Sequence, residues 1–128
     1  MAKVSIVSWN VRGMHSPLKR TMLFMCLKFF LPGVICFQET HLTAETVCFL
    51  KYMWVGKAYH STHTSFSRGV SVLVHNALDF QEIDSAADSE GRYVFIHCKI
   101  GTLICVLACV YIPPPFKAAV LRLLLSFL

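Results

Sequence analysis

Short runs of consecutive apolar residues alternate along this chain with polar breaks marked by glycine or proline, and one early segment repeats its apolar positions at helical spacing. Uninterrupted runs of roughly four to eight apolar residues read as strands buried on both faces, and repeats at i, i+3, i+4 and i+7 as an amphipathic helix. The first run, Val4 to Val11, delivers Trp9 and Asn10 before Arg12-Gly13 makes a turn. Ser16-Pro17 then opens a helix with a capping residue and a proline at the first helical position. Leu18, Met22, Met25, Cys26 and Phe29 form the expected apolar stripe, Lys19, Arg20 and Lys28 the wet side, and Pro32-Gly33 the stop. The second run, Val34 to Phe37, ends abruptly in Gln38-Glu39-Thr40-His41. Two strands joined by one helix are expected to be parallel neighbours, which places Asn10 and Glu39 on one rim. That rim is where open α/β sheets build their sites.

Further on, Thr43 is predicted to cap a second helix carrying Val47, Leu50, Lys51 and Trp54, with Glu45 at its positive end. Tyr59 to Ser65 reads as a polar loop or strand end, and its His60 and His63 are two metal-type ligands without a third. Arg68 to Asn76 is a strand with Asn76 as its turn. Asp79, Glu82, Asp84, Asp88 and Glu90 are five of the chain's seven acidic residues; their spacing matches no calcium loop and reads as a solvated edge strand and loop. Tyr93 to Ile100 and Leu103 to Tyr111 form a hairpin about Gly101-Thr102, the second strand read as central because its apolar run is unbroken. Pro113-Pro114-Pro115 ends it, and Lys117 to Leu128 is a last helix. Without repeats, low-complexity tracts or a linker, residues 1–128 read as one domain.

Composition sharpens this picture. Hydrophobic residues make up 55% and charged residues 15%, apolar for a free-standing domain of this length. The net charge of +5 is scattered, which permits contact with a phosphate backbone but defines no groove. The six cysteines include no C-x-x-C pair, and no secretory signal precedes the first strand. Cys36, Cys98, Cys105 and Cys109 lie in apolar runs, as reduced thiols of a reducing compartment do. No run approaches the roughly 18 apolar residues of a membrane span, so no membrane partner is expected.

"SWNVRGM", "ICFQETHL", "RGVSVLVHN", "EGRYVFIHCKI" and "CVYIPPP", in this order, resemble the endonuclease/exonuclease/phosphatase superfamily. Within it, the chain is most similar to the apurinic-type endonuclease domain of LINE-type retrotransposons. The resemblance runs from Val4 to the final helix. It implies an α/β fold, half of a four-layer α/β sandwich with a mixed sheet and flanking helices, truncated to its first half. It also implies Mg²⁺ (or Mn²⁺) as cofactor, DNA as partner and a nuclear, intracellular location. Glu39 would be the metal ligand, Asn10 a hydrogen-bonding support near the metal or reacting phosphate, and Tyr111 a donor to the phosphate.

Phosphodiester hydrolysis needs a cation on the phosphate, a water in line with the leaving oxygen and donors that hold the phosphate still. The family's later Gly-Asp-Phe-Asn-type and Ser-Asp-His-type motifs, which orient or deprotonate that water, do not occur here: no acidic residue follows Glu90, and the last histidine is His97. The expectation is a DNA phosphodiesterase domain that retains its metal-binding Glu39 and is catalytically incompetent alone. Three alternatives stand beside it. One is an active nuclease completed by self-association or by a partner chain on the exposed sheet face. Another is a non-catalytic nucleic-acid- or partner-binding module using Arg12, Lys19, Arg20 and Arg68. The last is a membrane-surface protein held by its apolar termini. Taken singly, a Glu, Asn or Tyr at a strand end also serves as a turn or solvated residue.

Overall fold

The computed structural model describes residues 4–30, 32–112, 118, 122, 125 and 126. It is an α/β protein of two sheets and two short helices. In chain order the elements are β1 (Ser5–Asn10), α1 (Pro17–Leu27), β2 (Gly33–Gln38), α2 (Cys48–Met53), β3 (Gly56–Ser61), β4 (Val70–His75), β5 (Phe80–Ala87), β6 (Tyr93–Ile100) and β7 (Leu103–Val110). The four-stranded sheet runs β1-β2-β4-β3, and the three-stranded sheet β5-β6-β7. As the spacing predicted, β1 and β2 are parallel, with Asn10 beside Gln38. All other pairings are antiparallel.

The unbroken apolar runs of β2 and β4 have a direct cause, because both strands are covered on both faces. Ile35, Phe37 and Leu73 point into one core with Leu23, Phe24, Leu27 and Leu50 from the helices and Trp54 just past the second. Val34, Cys36, Val70, Val72 and Val74 point the other way, onto Val94, Ile96, Cys98, Leu107 and Cys109 of the second sheet. The described residues therefore stack as helices, mixed sheet, antiparallel sheet. Each fully buried side chain of this size contributes about 1.5–3 kcal/mol of apolar burial. The acidic segment is the edge strand β5, as expected, with a register shift between Glu82 and Asp84 that blunts the edge.

Three expectations need correction, and a fourth needs completing. Residues 56–61 form β3, paired antiparallel with β4, so the segment from Tyr59 to Ser65, left open as a loop or strand end, begins as the end of a strand. β7 lies at the edge of its sheet, not at the centre, and Leu103 and Ile104 are each 63% exposed. The second helix begins at Cys48, while Thr43 caps the turn before it by accepting from the Thr46 N–H at 3.3 Å. In α1 the buried positions are Arg20, Leu23, Phe24 and Leu27, whereas Leu18, Met22, Met25 and Phe29 are exposed. The sequence stripe marks the outer face. Arg20 goes inside because its Nη1 donates to the carbonyls of Met14 and His15 at 3.0 and 2.7 Å, and its guanidinium lies 4.4 Å from the Phe49 ring centroid. The Ser16 cap is present, its side chain accepting from the Lys19 N–H at 3.3 Å. The predicted last helix over 117–128 lies largely outside the described residues. Among those described, no helix is long and apolar enough to cross a membrane.

His60 on β3 gives a testable consequence. Its Nδ1 pairs with Ser71 Oγ at 2.9 Å, and burial, reinforced by the Lys51 charge, pushes the imidazole down to about 4. The unfolded chain then binds a proton between about pH 6.5 and pH 4 that the folded one does not, so stability falls as pH falls through that window and levels off below it. From pH 7 to pH 5 this amounts to about 2 kcal/mol. Urea midpoints at the two pH values should show that loss in the natural chain and a smaller one in His60→Phe.

Candidate functional site

Beyond the ends of β1, β2, β4 and β7 the backbone does not disperse. It continues as a laced rim: the N–H groups of Val11, Gly13 and Met14 donate to the carbonyls of Gln38, Glu39 and Thr40, at 3.0, 2.6 and 3.0 Å. On the other side the N–H groups of Thr40 and His41 donate to Gly69 and Arg68 at 3.1 and 2.9 Å, and that of Gly69 to Gly91 at 3.0 Å. The described non-glycine residues with left-handed backbone are Arg12, Glu39, His41 and Arg68, and all four lie here. Left-handed conformations cost a non-glycine residue of order 1–3 kcal/mol and collect where surrounding structure over-determines the backbone, functional sites above all.

Two Arg-Gly doublets frame the rim. In each the arginine and the following glycine, Gly13 or Gly69, have positive φ. A Cβ on Gly13 would come within 2.9 Å of His41 Nδ1, and one on Gly69 would collide with Thr40 Oγ1. The glycines let three chain segments approach closely enough for the lacing bonds to form.

Glu39 stands one residue past the end of β2, on the rim where the sequence placed it, and its left-handed turn aims the side chain towards the second sheet. There the Tyr111 hydroxyl donates to Glu39 Oε1 at 3.1 Å. Burial, and after it the hydrogen bond and charge of Glu39, raise the Tyr111 pKa against a smaller opposing effect of Arg68, so the phenol keeps its proton. Tyr111 is fixed in turn by its N–H to the Arg92 carbonyl at 2.7 Å. Of the three residues predicted for the site, then, Glu39 and Tyr111 are brought into contact. Asn10 is on the same rim but is exposed and occupied in its own turn, its Oδ1 accepting from the Arg12 N–H at 3.2 Å.

The basic residues expected to face a phosphate backbone are mostly engaged in holding the rim together. Lys19 Nζ donates to the carbonyls of Val11 and Arg12, Arg20 is inside, and Arg68 pairs with Glu90 at 3.7 Å. Arg12 stays exposed. In the acidic stretch, burial works to raise the Asp88 pKa, but the Arg92 hydrogen bond and charge outweigh it and hold the carboxylate down. Arg92 Nε donates to Asp88 Oδ2 at 2.7 Å.

Sequence reasoning missed His41 and His15, whose rings lie 6.2 Å apart. Burial lowers the His41 pKa; Glu39 opposes this, His15 and Lys19 add to it, and the ring is neutral at neutral pH. Missed too was Gln38, whose Nε2 donates to Ser8 Oγ at 2.9 Å and Cys109 Sγ at 3.2 Å, tying β1 and β7 to β2 just below Glu39. The repeated Arg-Gly doublet was the available signal for the rim.

One carboxylate oxygen of Glu39 takes the Tyr111 bond, and the group is half-buried with a second oxygen outside that bond. This fits a hard cation that keeps most of its waters and needs one or two carboxylates. Among the described residues no group of three or more His, Cys, Asp or Glu side chains is placed to hold a metal. No protein-family model matches the chain.

Proposed function

We propose that this chain carries the cation-holding side of a Mg²⁺-dependent DNA phosphodiesterase site, and that by itself it binds without cleaving. The observation that supports this most is the Tyr111–Glu39 bond, which joins the two sheets at the one place where the described left-handed non-glycine residues gather. On this reading the stacked layers are part of a four-layer sandwich of the endonuclease/exonuclease/phosphatase kind. Mg²⁺, or Mn²⁺ in its place, would be held by Glu39 and would neutralise charge on a bound phosphate. Tyr111 keeps its proton, which it gives to Glu39 Oε1 and would turn to a phosphate oxygen once a cation holds that carboxylate, and Asn10 has an amide NH₂ outside its turn bond.

On this reading no described residue of the rim serves as a paired general base. His41 is neutral but has no carboxylate of its own to orient it beyond Glu39, which the cation would occupy. Of the remaining acidic residues, Glu45 lies in the turn before α2 and the other five run from Asp79 to Glu90 along β5 and its flanks, where Asp88 and Glu90 are paired with arginines. A positioned general base contributes about 10²–10⁴ in rate, so strand scission is expected to stay at background. The test is Mg²⁺-dependent thermal stabilisation of the natural chain and of Glu39→Gln, run beside a plasmid-nicking assay. Equal Mg²⁺ responses in the two proteins would remove this reading.

A second reading, an active site completed by another chain, is favoured by the side of the molecule that bears the β1 and β7 edges. A groove of about 530 Å³ there is lined by Val4, Ile6, Leu103, Cys105, Val106 and Leu107 among others. An apolar hollow of about 350 Å³ adjoins Trp9, Leu18 and Met22. Exposed apolar surface on this scale marks association. Sedimentation of the purified chain should show mass rising with concentration, and Leu18→Lys with Met22→Lys should lower it.

A further inference from the structure

Phe66 is 88% exposed, at the tip of a turn on the same rim. The turn is not a loose loop. Thr64 and Ser67 form a bridge, their hydroxyls 3.1 Å apart; the Phe66 N–H donates to Thr64 Oγ1 at 3.3 Å, and the Ser65 carbonyl meets His15 Nε2 at 2.7 Å. Two residues further on, Arg68 accepts from the His41 N–H, which fastens the base of the turn beside Glu39. A ring left in water by mobile chain needs no explanation, but a ring held out by this many bonds is preorganised for a contact. Phe29 and Tyr52 are as exposed, yet they sit after α1 and within α2, and neither lines the rim.

Beside the ring is a shallow cavity of about 410 Å³ lined by His15, His41, Ser65 and Phe66. Its lining is one phenylalanine, two histidines and a serine: flat rings and hydrogen-bonding groups, with no arginine or lysine among them. That chemistry suits a planar heteroaromatic ring better than a phosphate. Resting on the reading of the rim as a DNA-binding site, we propose that Phe66 is a stacking platform for an unpaired base of single-stranded DNA, with His15 and His41 facing that base's edge. A base inside a duplex is stacked on both sides and does not offer a face to the ring, so the contact selects single-stranded or locally opened DNA.

The experiment is fluorescence anisotropy with a fluorescein-labelled 12-nucleotide oligothymidylate and a blunt duplex of the same length, at one fixed salt concentration and in excess EDTA. Loss of one stacked base is expected to weaken single-strand binding by Phe66→Ala about tenfold, while duplex binding changes less than twofold. Phe66→Trp should keep the affinity, and its added indole emission, measured against the natural chain, should be quenched by the single strand. Equal single-strand affinity of Phe66→Ala and the natural chain, no binding of the single strand by the natural chain, or an unresponsive indole would each overturn the proposal. So would a Phe66→Ala variant that loses self-association and keeps its DNA affinity, since the ring would then be a protein contact. The Mg²⁺ response of Glu39 is measured without DNA, so failure here and failure of the phosphodiesterase reading are separate results.

Discussion

Phe37→Ala is expected to lower the unfolding free energy by about 3–5 kcal/mol, against a total of roughly 5–15 kcal/mol for a domain of ordinary stability. Phe37 is fully buried, and on β2 it is bracketed by Trp9 of β1 and Ser71 of β4. Its ring meets Phe24 of α1 edge-on, with centroids 6.2 Å apart. Truncation leaves a cavity that the neighbouring strands cannot close, because both are held in register by hydrogen bonds to the same strand. The loss includes the transfer of the ring and the contacts of the cavity wall, which is why it exceeds the burial term alone. Urea unfolding should show the midpoint dropping with the slope unchanged. Phe29→Ala serves as the contrast: that ring is 88% exposed, and its removal should change stability by less than about 0.5 kcal/mol.

The same residue shows why some of this fold was legible in the sequence. Val34 to Phe37 is unbroken apolar because alternate residues feed two different cores, and a run of that kind has few structural solutions. The parallel pairing of β1 and β2 followed from the helix between them, and the cap of α1 from Ser16-Pro17. Where the signal failed, tertiary structure had overridden it. The stripe of Leu18, Met22, Met25 and Phe29 has helical period, but period does not say which face is inner. Arg20 is drawn inward by two carbonyls that no local pattern reveals. β7 reads as central from its apolar run and is an edge strand in the described sheet; its uncovered residues line the same groove as Ile6 of β1. β3 was obscured by polar residues such as Lys57 and His60, which a strand tolerates when one side of its pairing is open.

At the site the division is similar. Glu39 and Tyr111 were both legible as rim residues, each following an apolar run. Their contact across 72 positions of chain was not, since it depends on how the two sheets are stacked. The left-handed backbone at Glu39 has no marker in the residue type, and the histidine at 41 is only a weak one. The conformation is imposed by the bonds from Gly13 and to Arg68, so it becomes visible only once three segments are side by side.

That imposed geometry makes the Glu39 prediction a specific one. Glutamine at 39 keeps the length of the side chain and an oxygen for the Tyr111 hydroxyl, so Glu39→Gln should fold like the natural chain and differ only in charge. With Mg²⁺ tenfold above its dissociation constant, binding to the folded state alone should stabilise the natural chain by about 1.4 kcal/mol. In a domain of this length that is a rise of roughly 4–6 °C in Tm. Glu39→Gln should show no rise, since a neutral amide oxygen does not replace a carboxylate as ligand to a hard cation. Tyr111→Phe separates the two roles on this rim. Removing the hydroxyl frees Oε1, so the Mg²⁺ response should be retained or increased, while binding of inorganic phosphate in the presence of Mg²⁺ should weaken with the lost donor. A Tyr111→Phe protein that lost its Mg²⁺ response would mean that the hydroxyl holds the carboxylate in place for the metal and not that it serves the phosphate.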